Sequence, residues 1–449
     1  MQITISLVEK IINSSRERGS RFAVWAMRIF GSVPQLVDIF KNHRDPVVRL
    51  DFFRSLLTLP RDMEICRPCP ILGPASPTLQ PKQRSIIENI LTVHWMDWQR
   101  NQSPIPQERD VYKDGMSVTA ERLAKTKLVI VQTKYTNANP ACIASDFYAH
   151  LTSSARCAGL DVYVFDADEI HYDHNKLESK PKPTRPLAEA LGDLSNFLER
   201  VRPDIVMSDG NFVPTENTVD AAFWVEQRKK LGFKHVLYVP DCFDGFSDVN
   251  PWLPCIDFII TFNDTAYQIL GLDHVAVVPS MPFNAAFFKP DQPKDLGVVC
   301  IGTNSRGRAT WMGALAILGV PSTSFLHDRL TENARTLEEY CDLMSRAKIV
   351  FNTGALNSMT YVTTGRFSEG IISGALVLEE AGARADLYYV PYVHYIPVTN
   401  FDQAVAFSQF FIESESWRKI ITDAAQDYQK TYYSSDKFWR FLVARTLPE

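Results

Sequence analysis

From Lys127 onward, continuous apolar runs alternate with segments whose apolar positions recur every three to four residues. The runs are KLVIVQTKY (127–135), LDVYVFDA (160–167), PDIVMSDG (203–210), HVLYVPD (235–241), IDFIITFN (256–263) and the shorter VAVVPS (275–280). Between them lie ACIASDFYAHLTSSARCAG (141–159), PLAEALGDLSNFLERV (186–201), TVDAAFWVEQRKKLG (218–232) and DTAYQILG (264–271), each with helical spacing. Strands apolar on both faces, alternating with helices, predict a doubly wound parallel sheet covered on both sides.

The segment FNAAFFKPDQPKDLG (283–297) breaks the alternation and reads as a linker, after which a second α/β unit begins. GVVCIGT (297–303), KIVFNTG (348–354) and ALVLEE (375–380) read as strands, and ATWMGALAILG, LEEYCDLMSRA and RFSEGIISG as helices. The tail is mostly helical, with Ser434 or Ser435 placed to cap its last helix. Residues 1 to 125 show no strand alternation. RFAVWAMRIF, VVRLDFFRSLLTL and SIIENILTVHWMDWQR read as amphipathic helices, and Ile87, Leu91, His94, Trp95 and Trp98 fall near one stripe that suits a core. The organisation expected is a helical accessory region (1–125), a first Rossmann-like domain (126–290), a second Rossmann-like domain (295–402) and a helical tail (403–449).

Composition narrows the class without naming a chemistry. The 449 residues are 45% hydrophobic and 22% charged, with a net charge of -5, enough apolar residue for a large core. The acidic balance argues against a nucleic-acid binder, although a local basic cleft is compatible with it. There is no apolar run long enough for a membrane span and no secretory signal at the start, and the 8 cysteines form no framework, so a reducing, cytoplasmic setting is expected. Cys66 and Cys69 form a lone CxxC without a second ligand pair, which reads as free thiols. Asp166 and Asp168 in DAD follow a strand and read as ordinary strand-end carboxylates, so no metal or other cofactor is expected.

The chemistry concentrates in TTGRFSEGIISGALVLEEAG (363–382), where Arg366 and Glu369 share a face of a helix starting near Thr364. A charged pair at the start of a helix in an α/β unit suits a phosphate and a sugar hydroxyl, whereas the same spacing elsewhere is a surface ion pair. From about Val298 to Leu442, the order VVCIGTNSRGRATWMGALAILGV, LEEYCDLMSRAKIVFNTG, GRFSEGIISGALVLEE, AVAFSQFFI and ITDAAQDYQKTY resembles the C-terminal half of GT-B-fold glycosyltransferases. The nearest groups are those related to glycosyltransferase family 4 and the spore-maturation-protein-B-like enzymes (glycosyl transferases group 1). VLYVPDCFDG and IDFIITFNDTAYQILG carry a looser likeness to the N-terminal half.

The resemblance implies a GT-B-like α/β fold of two tandem Rossmann-like doubly wound domains with a helical N-terminal region. It implies a Leloir-type transferase using a nucleotide-sugar as co-substrate, without a metal. On that resemblance Glu369 holds the donor ribose and Arg308 faces the diphosphate, with Arg366 a second phosphate candidate. Gly302 and Thr303 let the backbone approach the donor. The family often carries a second Glu eight residues before the first, where this chain has Tyr361. Asn352, Asn357 or Thr364 reach the donor sugar instead, or simply make turns. For a base, Asp241 and Asp209 stand at strand ends of the acceptor side, each with an alternative as a loop cap. His150 reads as a helix-face histidine, and His394 as either a cleft or a loop histidine.

The acceptor is open among a glycan, a protein side chain, a lipid head group, a natural product and a modified nucleobase in DNA. The N-terminal region shapes acceptor choice or makes a homo-oligomer. Two other functions fit the same residues: a nucleotide-sugar epimerase, which consumes the donor without an acceptor, and a non-catalytic GT-B-like subunit, for which Tyr361 is the main support.

Overall fold

The computed structural model describes residues 69–101, 110–134, 146–168, 170, 186–209, 219–239, 250–261, 275–303, 307–327, 335–354, 364–381 and 385–448. The predicted helices over 21–30, 47–59 and 264–271 therefore lie outside the described residues, as do Cys66, Asp241, Asn357 and Tyr361.

The first unit is a six-stranded sheet in the order β2-β1-β3-β4-β5-β6, every pairing parallel. Its strands are β1 (Lys127–Gln132), β2 (Asp161–Asp166), β3 (Ile205–Asp209), β4 (Lys234–Val239), β5 (Phe258–Thr261) and β6 (Val275–Val277). Helix α1 (Pro81–Asn101) precedes it, α2 (Ala120–Lys125) leads into β1, and α3 (Asp146–Cys157), α4 (Leu187–Val201) and α5 (Ala221–Leu231) lie between strands. The local causes are plain: α4 buries Ala190, Leu194, Leu198 and Val201 along one stripe, and α5 starts on the Asp220 carboxylate and stops at Gly232 with φ of 80°.

The second unit is a five-stranded parallel sheet made of β7 (Leu296–Thr303), β8 (Ser322–His327), β9 (Ala347–Asn352), β10 (Leu376–Glu380) and β11 (Ile396–Val398), ordered β11-β10-β9-β7-β8. Helices α6 (Arg308–Ile317), α7 (Leu337–Arg346) and α8 (Gly365–Ile372) lie between its strands. A capping box between Thr336 and Glu339 starts α7. The fold class is thus α/β, with two Rossmann-like units in tandem. Counted within each unit, the first sheet runs 2-1-3-4-5-6 and the second 2-1-3-4-5, and both switch direction between their first and third strands, where such sheets leave a crevice at their carboxyl edge.

Two strands, β8 and β11, are not visible in the apolar pattern. They are the two edges of the second sheet. The sequence of β8 is Ser- and Thr-rich and only partly covered, and β11 carries Pro397, tolerated where one side of a strand needs no donor.

Both ends of the described chain cross to the opposite unit. Asp402, in α9 (Phe401–Glu413) of the second unit, accepts the backbone N–H groups of Cys69 at 3.0 Å and Ala75 at 2.7 Å. Ile87 and Leu91 of α1 join the core of the second unit beside Phe407, Phe410 and Phe411. Beyond α10 (Glu415–Tyr432), the last helix, α11 (Ser435–Thr446), packs on the first unit. Its Trp439 Nε1–H donates to Ser154 Oγ at 3.0 Å, and the Ser435 hydroxyl donates to the Phe283 carbonyl. Ser434 is the cap residue of α11 by position, but its side chain makes no capping bond. The region read as a linker is no loose tether, because Phe283 and Phe288 are buried between the units.

Candidate functional site

The carboxyl edge of the second sheet collects the charged residues singled out by the sequence. Gly302 and Thr303 close β7, and Asn352 closes β9. Gly302 has φ of +131°, and a Cβ there would stand 3.2 Å from the Arg366 guanidinium. The missing side chain lets Arg366 lie flat against the strand end, a close approach that favours glycine. Arg366 Nη1 is buried and has no hydrogen-bond partner among the described residues. An uncompensated buried donor is costly, and an anion would satisfy it. Arg308, the first residue of α6, is 1% exposed and donates through Nε to Thr353 Oγ1 at 3.2 Å, bridging the loops after β7 and β9 at the switch point.

Helix α8 starts on Thr364, whose side chain makes no cap to the helix. Its hydroxyl instead donates to Asn352 Oδ1 at 2.8 Å, and Asn352 Nδ2 donates onward to Glu379 Oε2 at 2.8 Å. Thr364 and Asn352 therefore spend these atoms on internal bonds, leaving the first-turn N–H groups of α8 without a side-chain cap. Gly365 admits Phe283 of the interunit segment: a Cβ would come within 2.7 Å of that ring. Gly374, with φ of +73°, lies just past the helix end, as the sequence spacing predicts.

Two carboxyls sit in this edge under unusual stress. Glu379 is 1% exposed; Oε1 has no partner among the described residues, and burial pushes its carboxyl up to about 8 against the pull of Asn352, Arg366 and Arg308. Glu369 is also pushed up to about 8, mainly by burial and further by Asp146, while the Tyr340 hydrogen bond and Arg366 pull it down. Tyr340 Oη donates to Glu369 Oε2 at 2.6 Å.

Glu369 Oε1 faces the other unit, where His150 Nε2 lies 3.8 Å away. His150 is fully buried, accepts the Asn284 backbone N–H on Nδ1 at 3.1 Å, and is pushed down to about 3 by burial. Asp146, one turn earlier on α3, is raised to about 6 by burial and pulled down by Arg366. Periodicity within α3 offers no signal that these two residues meet Arg366 and Glu369, since the partners belong to another unit. Glu379 carries only the faint signal of a carboxylate at a strand end.

The remaining candidates fall elsewhere. Asp209 closes β3 at the switch point of the first sheet, buried, with the Gln132 side-chain amide donating to it. Asp241 follows β4 outside the described residues. His394 lies two residues before β11, buried against Tyr428 and Trp98, with Nδ1 accepting the Val390 N–H. Among the described helices none is long and apolar enough to cross a membrane.

No family model and no curated protein matches the chain. Among solved structures, it is similar to Alr3699/HepE of Anabaena in complex with UDP-glucose, at 14% identity and a TM-score of 0.48, covering 72% of this chain and 99% of that one. It is similar to sucrose-phosphate synthase of Thermosynechococcus elongatus at 12% identity and a TM-score of 0.47, over 72% and 99% of the two chains. A third likeness is to WaaG, a glycosyltransferase involved in lipopolysaccharide biosynthesis, at 12% identity and a TM-score of 0.41, over 72% and 100%. At these identities the likeness is one of general fold and bears on no residue.

Proposed function

We propose that the chain is a glycosyltransferase that binds a nucleotide-sugar at the carboxyl edge of the second sheet and transfers its sugar to an acceptor entering from the first unit. The observation that carries this reading is the buried Arg366 Nη1, without a hydrogen-bond partner among the described residues and held against Gly302. A guanidinium donor buried at a switch point, beside two helix starts without side-chain caps, suits a diphosphate. The sequence resemblance to family 4 supports the same assignment.

In this reading Arg366, Arg308 and the first turns of α6 and α8 take the negative charge that grows on the leaving diphosphate, without a metal. Glu369 accepts ribose hydroxyls with lone pairs not used by Tyr340. Gly302 and Thr303 give the donor close access to the strand end. Thr364 and Asn352 act indirectly, by orienting Glu379. Asp209 and Asp241 are the proposed acceptor-side bases, and the cytoplasm the proposed setting.

Thermal melts with the diphosphates of uridine, guanosine, adenosine, cytidine and thymidine test the reading. A ligand at a hundred times its dissociation constant adds about 2.7 kcal/mol. One base-selective shift is expected, lost in Arg366→Gln while the unliganded melt persists. No shift with any of the five refutes the donor site.

A further inference from the structure

Among the described residues, His150 brings the first unit within 4 Å of the candidate donor residue Glu369, and it does so in an unfinished way. Its Nδ1 is occupied by the Asn284 backbone N–H, so the neutral ring carries its proton on Nε2. Nε2 is buried without a hydrogen-bond partner among the described residues. The atom it faces, Glu369 Oε1, is 3.8 Å away, beyond hydrogen-bond length. An approach of about 1 Å would close the gap. The ring cannot turn away, because Phe283, Phe287 and Phe288 pack around it with centroids 5.0, 5.1 and 6.0 Å distant. Tyr340 already fixes the other carboxyl oxygen.

We propose that His150 is a positioning residue for the donor site of the opposite unit: its Nε2–H completes the orientation of Glu369 when the units draw together. The donor site is then finished by a residue of the acceptor unit, and a donor binds best when that unit is in place. Asp146, four residues earlier on α3, lies in the field of Arg366, so both candidate donor side chains of α8 answer to the same helix. This rests on the donor-site reading above.

The test is calorimetric titration of the full chain with whichever of the five nucleoside diphosphates binds the wild type. His150→Phe keeps a ring in the aromatic box and removes the N–H. It is expected to weaken binding at least tenfold, with His150→Gln recovering most of the loss. Should the Phe variant not fold, His150→Asn takes its place with the same expected loss, since Asn still accepts the Asn284 N–H but is too short to reach Glu369. The double variant His150→Phe, Glu369→Gln is expected to bind no more weakly than Glu369→Gln alone, the signature of one shared interaction. Binding within twofold of wild type in His150→Phe, or losses that simply add, overturns the positioning role and leaves the donor site standing. A wild type that binds none of the five overturns the donor reading and this proposal together.

Discussion

Glu369 and Glu379 are carboxyls kept out of water, and that has a consequence measurable without any ligand. Each is raised from 4.5 to about 8 in the folded chain, chiefly by burial. Over that interval the folded chain holds protons that the unfolded chain releases, so stability falls as pH rises, by up to about 1.4 kcal/mol per pH unit for each group. His150 and His394, lowered from 6.5 to about 3 by burial, act oppositely: they cost stability only as pH drops below 6.5. Above 6.5 the carboxyls act without that opposition. The melting temperature is expected to fall between pH 6.5 and 8, and to fall less in Glu379→Gln, which keeps the shape and removes the charge. A melt series showing equal slopes for both proteins would contradict the burial assigned to Glu379. Arg366 and Glu369 were legible in the sequence because both lie on one short helix between a Thr start and a Gly stop. The stress on Glu369 was not, because it comes mainly from burial in the folded chain and further from Asp146 on α3 of the other unit.

Elements divide the same way. The central strands could be read directly, since a strand buried on both faces is apolar along most of its length; β3 and β10 are buried at every position, with their polar residues confined to the carboxyl ends. The edges β8 and β11 face partial solvent and lack that constraint. Docking of α11 was not legible either, as its surface, FWRFLVA, states that it packs but not on what. The structure supplies a sensitive point for that docking. A Cβ at Gly115, in the short turn of helix at Lys113–Ser117, would stand 2.4 Å from the Phe441 backbone nitrogen. Backbone cannot swing aside as a side-chain tip can, so Gly115→Ala is expected to cost roughly 1–3 kcal/mol or more. The denaturant midpoint measures this. Gly192→Ala is the control, because nothing lies within 4 Å of a Cβ there; equal midpoints for the two variants would rule out tight docking of α11.

At the scale of the whole molecule, the described residues join the two units through the interunit segment, through α11 returning to the first sheet, and through residues 69–101 lying on the second. The last join depends on Asp402, whose two carboxylate oxygens each hold one backbone N–H. Hydrogen bonds to a charged group are worth about 1.5–3 kcal/mol each. Asp402→Ala is therefore expected to speed amide exchange across residues 69–101 while leaving β1 and β3 protected; unchanged exchange in α1 would show that its apolar contacts suffice. The exchange of ends also bears on how the chain comes to be folded. On the ribosome, the first sheet emerges long before α11, which is translated only after the entire second unit. Until then the surface that will receive Trp439 stays open, beside Ser154 and Phe283. The first unit reaches its final packing only when synthesis has passed through the second, so cutting the chain within the interunit segment would separate each sheet from a piece of its own core.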